Sequence, residues 1–99
     1  MSDAHLAEIE WSPAQVAEGL PAFDRTIDPA WFWEDAPRST QGWSLACEFS
    51  ISPSQQGNPS RASVHFVMDA APHLRLQPGA LLRMFERATR QYATVRILG

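Results

Sequence analysis

Lysine is missing altogether and cysteine occurs once. With Cys47 as the single thiol no intrachain disulfide can form, which excludes a small secreted scaffold stapled by disulfides. No apolar run approaches the roughly 20 residues of a membrane helix. The opening Met1-Ser2-Asp3-Ala4-His5-Leu6-Ala7-Glu8 is acidic and has no apolar core, so it does not read as a signal peptide. The expectation is a small cytoplasmic protein, bacterial in style, with no membrane association. Catalytic sets are missing too. His5, His65, His73 and Cys47 form no recognised ligand spacing, and there is no nucleophile elbow, phosphate loop or dinucleotide fingerprint. The reading is therefore no enzyme, no metal and no cofactor, with solvated histidines and a packed rather than reactive Cys47.

Charge is present but segregated. Residues 1–50 hold nine acids against Arg25 and Arg38; residues 51–99 hold Asp69 and Glu86 against six arginines. Every cation is a guanidinium, whose planar fork suits carboxylates, phosphates and aromatic faces. The two halves can neutralise each other within one fold, or join two copies as a head-to-tail or symmetric homodimer. The net charge of −3 and the absence of lysine weigh against a nucleic-acid footprint.

The 99 residues fit one domain with one modest core, spanning 1–99. Trp11, Trp31, Trp33 and Trp43 supply much of that core or, in part, an exposed interface. Trp43 to Ile51 places large apolar residues at every odd position, the mark of a half-buried strand. Ser52 to Ser60 has two prolines and a glycine and reads as a surface loop; Ala62 to Met68 resumes alternation, with Val64, Phe66 and Met68 inward. Leu6 to Trp11 alternates likewise. Ser12-Pro13-Ala14-Gln15 gives an N-cap, a first-turn proline and a capping-box glutamine, and Gly19 stops a short helix at 13–18. Pro21 to Pro29 reads as irregular and Trp31-Phe32-Trp33 as a short aromatic strand. Residues 79–91 admit two readings. Leu81, Leu82, Phe85, Ala88 and Tyr92 lie at helical spacing, whereas a turn at 87–89 would make a hairpin ending in the strand Tyr92–Leu98.

The order of several short pieces resembles the C-terminal β-barrel domain of translation elongation factor Tu and small bacterial proteins built like it. They are Ala7-Glu8-Ile9-Glu10-Trp11 with Glu18-Gly19, Pro29-Ala30-Trp31-Phe32-Trp33, Leu76-Gln77-Pro78-Gly79, Leu82-Arg83-Met84-Phe85-Glu86-Arg87, and Ala93 to Leu98. The family's double-glycine-arginine turn is here only Gly19-Leu20, Arg87 stands where it has glycine, and no GTP-binding domain precedes the barrel. GTPase activity and aminoacyl-tRNA delivery therefore do not carry over. The resemblance implies a mainly β fold, one antiparallel barrel of about six strands that binds macromolecules through loops and faces. It favours the hairpin over the α+β alternative with a helix at 79–91.

The function expected from all this is a non-catalytic binding module with a protein partner. Candidate contacts are Asp24, Asp28, Trp31, Trp33, Glu34 and Asp35 around the aromatic strand, and Arg83, Arg87 and Arg90 on a basic face. The alternatives are an immunity or antitoxin protein that blocks a toxin, and a barrel that binds a small ligand, a sugar or RNA.

Overall fold

Alternation of side chains decides the architecture. A computed structural model describes residues 4–35, 37, 40–86 and 90–99. It contains β1 (His5–Trp11), α1 (Pro13–Glu18), β2 (Arg25–Phe32), β3 (Trp43–Glu48), α2 (Pro53–Gln56), β4 (Ser60–Phe66), a 3-10 turn (His73–Arg75), β5 (Leu81–Glu86) and β6 (Arg90–Ile97). The six strands close into an antiparallel barrel in the order β1-β4-β3-β2-β5-β6. Ala7 and Ile9 on β1, Leu45 and Cys47 on β3, Val64 and Phe66 on β4, Leu82 and Met84 on β5, and Val95 and Ile97 on β6 all point inward and are buried. Period-two alternation gives each strand one face for this shared core.

Aromatic residues plug both ends. At one end Trp11 meets Phe49 and Tyr92, with ring centroids 6.2 and 5.7 Å apart. The Trp11 indole N–H donates to Ser60 Oγ at 2.9 Å, which satisfies the polar atom of an otherwise apolar plug. At the other end Phe32 packs on Phe66 at 6.0 Å, and the segment 67–80 folds over them through Ala71 and Leu76. Beside that end β1 and the last residues meet, with Leu98 N–H donating to Leu6 C=O at 2.8 Å.

Leu81–Glu86 and Arg90–Ile97 are paired antiparallel strands, as the hairpin reading expects, and not a helix. A helix there would leave one edge of β2 and one of β6 without a partner, whereas the hairpin pairs with both and closes the sheet. The expected turn at 87–89 lies outside the described residues. Helix α1 forms where expected: Ser12 Oγ accepts from Gln15 N–H at 3.2 Å, Pro13 opens the first turn, and Gly19 ends it at φ +110°. Gln15 is not a capping-box partner, because its side chain donates to Gly19 C=O at 2.8 Å instead.

Several boundaries differ from the sequence reading, and β2 stops at Phe32, one residue short of Trp33. β3 ends at Glu48 and leaves Ile51 exposed, and β4 ends at Phe66 and leaves Val67 and Met68 exposed, because the barrel covers only residues within its height. The 52–60 connection contains the one-turn α2, with Pro53 buried. Residues 25–29 are strand rather than irregular: Pro29 is accommodated because β5 pairs with β2 only from Ala30 onward.

Candidate partner-binding site

The carboxylates that lie close together in sequence are separated by the fold. β2 runs the height of the barrel, so Asp24 before it sits at the Trp11 end and Glu34 and Asp35 after it sit at the Phe32 end. Asp28 lies between them and points inward. These residues do not make one acidic face. The arginines separate likewise: Arg83 leans on Trp33, Arg90 turns to Glu18 and Glu86, and Arg87 lies outside the described residues.

What the Phe32 end does assemble is an aromatic–arginine cluster around a cleft of about 420 Å³, lined among others by Phe32, Trp33, Glu34, Arg75 and Leu81. Arg75, from the 3-10 turn, lies 3.9 Å above the Phe32 ring and donates to Glu34 Oε1 at 2.8 Å and Asp35 Oδ2 at 3.0 Å. The hydrogen bond to Asp35, helped by Glu34, raises the guanidinium pKa. Its fork is thus oriented by both carboxylates. Arg83 lies 4.3 Å over the Trp33 ring and donates to Trp33 C=O at 3.0 Å; its Nε has no hydrogen-bond partner among the described residues. The Trp33 indole is 46% exposed and Leu74, on the turn beside Arg75, is 87% exposed.

Trp31 is buried rather than displayed on a surface, although it lies outside the cluster that fills the barrel. It packs edge-on against Phe85 at 5.1 Å, its indole N–H donates to Thr40 C=O at 3.1 Å, and a methyl group at Gly42 would overlap its ring. Asp28 is not a solvated docking carboxylate either. It is half-buried and accepts the Tyr92 hydroxyl hydrogen bond at 2.5 Å. Burial raises its pKa, the Tyr92 bond opposes the rise and the Glu86 charge adds to it. Burial and the Asp28 bond push the tyrosine up as well. Cys47, behind this pair, is fully buried with Sγ 3.6 Å from Met84 Sδ, and burial pushes its pKa up to about 12.

His73 is a loop fastener, not a solvated side chain. Its Nε2 lies 2.9 and 3.1 Å from the carbonyls of Met68 and Asp69, and its ring meets Phe66 edge-on at 5.9 Å. Carbonyl oxygens only accept, so Nε2 carries the hydrogen. Arg75 was invisible to the sequence reading because its carboxylate partners lie some forty positions earlier. The one cue was that an all-arginine chain favours guanidinium contacts to carboxylates and rings.

Among the described residues no group of three or more His, Cys, Asp or Glu converges as a metal site, and no helix is long and apolar enough to cross a membrane. The class of protein is a closed six-stranded antiparallel β-barrel with two short helices. No protein-family model, curated protein or solved structure matches the chain.

Proposed function

We propose that the chain is a non-catalytic binding module that docks a protein partner through the Phe32 end of the barrel. One observation carries the reading: Trp33 stands half-exposed under the stacked Arg83 in a cleft that Arg75 also lines, and Leu74, the residue before Arg75, protrudes into solvent. A tryptophan and an arginine fixed before contact lose little side-chain freedom on binding, and these residue types dominate interface hot spots. Glu34, Asp35 and Arg75 form the polar rim such a centre requires. The expected acidic patch thus becomes the border of an aromatic contact.

The test is affinity purification of the tagged protein from its host at moderate salt, comparing the wild type with Trp33→Ala and Leu74→Asp. A stoichiometric protein retained by the wild type and lost from both variants, with their folds intact by circular dichroism, supports the reading. Retention unchanged in both variants would sink it. If the retained protein is a toxin, the module acts as its immunity or antitoxin partner.

A further inference from the structure

The register of β2 and β3 fixes what their outer wall displays. Thr26 and Cys47 stand opposite each other and are buried, so the alternate positions turn outward: Arg25 opposite Glu48, Ile27 opposite Ala46 and Pro29 opposite Ser44. Phe49 N–H donates to Asp24 C=O at 2.7 Å, which carries the same pairing further and sets Phe23 beside Ser50. On this wall β2 and the residues before it therefore form a bulky row, Phe23, Arg25, Ile27 and Pro29. The row from β3 is short or acidic: Ser50, Glu48, Ala46 and Ser44.

The bulky row is poorly covered. Phe23 is 58% and Ile27 48% exposed, so two large apolar side chains stand in water with one charged residue between them. In the other row Ala46 is fully buried, with Ile27 and His65 opposite it on either side, and beside Glu48 and Ser50 opens a cleft of about 350 Å³ that Asp24, Arg25 and Ser63 also line. Arg25 Nε comes no nearer to Glu48 Oε1 than 3.9 Å, beyond hydrogen-bond length, and both side chains are more than half exposed. Among the described residues neither has another charged partner within 4.0 Å. A pair so loose and so exposed holds little energy, and both groups stay open to a better placed partner.

We propose that this wall is an isologous contact between two copies of the chain, with the two-fold axis lying between β2 and β3 and parallel to them. That axis lays the bulky row of one copy on the short row of the other. Phe23 enters the cleft at Ser50, Arg25 meets Glu48 and Ile27 covers Ala46, and each contact is made twice. Charge singles out a second copy as the occupant. The wall carries one cation and one acid side by side, and the two-fold reverses their order, so that each cation faces an acid; a wall of one sign would call for a different protein. The curvature of the barrel confines the contact to these two strands, on the order of 500 Å² per copy, the low end for specific interfaces, and the dimer is a weak one. Trp33 lies further along β2, outside the contact, and the inference does not depend on the docking site proposed there.

The test is sedimentation velocity of the whole chain at concentrations up to about 1 mM, where the wild type should pass from monomer to dimer with a dissociation constant on the order of tens of micromolar. Arg25→Glu and Glu48→Arg each set like charges face to face and should weaken the dimer at least about tenfold, whereas an equimolar mixture of the two variants should restore a one-to-one dimer of wild-type strength. A pair within one chain cannot produce that recovery, because each variant alone carries like charges at positions 25 and 48. Phe23→Ser and Ile27→Ser should weaken the dimer by a similar factor with the fold intact by circular dichroism, and they carry the test if a charge variant does not fold. Trp33→Ala should leave the dimer unchanged, which separates this contact from the docking site. A monomer at every concentration, a dimer indifferent to Phe23→Ser and Ile27→Ser, no recovery in the mixture of folded charge variants, or a dimer lost in Trp33→Ala overturns the proposal.

Discussion

The Tyr92 hydroxyl donates to Asp28 across the interior, and the proton balance of that carboxyl links the fold to pH. Asp28 holds its proton more tightly in the folded barrel than in the unfolded chain, whose value is near 3.8. Its contribution to stability is therefore complete below about 3.8 and is lost as pH rises through the higher folded value. Asp28→Asn removes this dependence. The difference in unfolding free energy between wild type and Asp28→Asn should move in the wild type's favour as pH falls from neutral through that window; a difference flat with pH refutes the assignment. Tyr92→Phe takes away the donor and leaves a half-buried carboxylate less satisfied, so it should cost about 1–3 kcal/mol in denaturant titrations. Cys47, with its raised pKa and complete burial, should resist a disulfide-exchange thiol reagent in native buffer and react at once in denaturant.

Elements divide into those with a local code and those settled by neighbours. β1 and α1 are legible because period-two alternation and a Ser-Pro start with a glycine stop are local signals. The 79–91 segment carries two local signals at once, and the barrel resolves them by offering two strand edges, which no single window of sequence contains. Arginine contacts were least legible, since Arg75 finds Glu34 and Asp35 only after the 67–80 segment folds over the Phe32 end. That closure is exposed to solvent, so a double-mutant cycle between Arg75 and Asp35 should give a coupling on the order of 0.5–1 kcal/mol, weakening with added salt. Ser12→Ala should lower stability by about 1 kcal/mol through loss of the α1 N-cap.

At the scale of the whole molecule the segregated charges are reunited. Arg75 joins Glu34 and Asp35, and Arg90 joins Glu18, so cations of the second half meet acids of the first within one chain. A single core lined by all six strands should unfold in one cooperative step, with tryptophan fluorescence and far-ultraviolet circular dichroism tracing coincident denaturant curves. The hydrogen bond from Leu98 to Leu6 continues the pairing of β6 with β1, the two strands farthest apart in sequence. The last seam of the barrel can therefore be sewn only after nearly all the chain between those strands has been gathered, and the domain should fold slowly for its size.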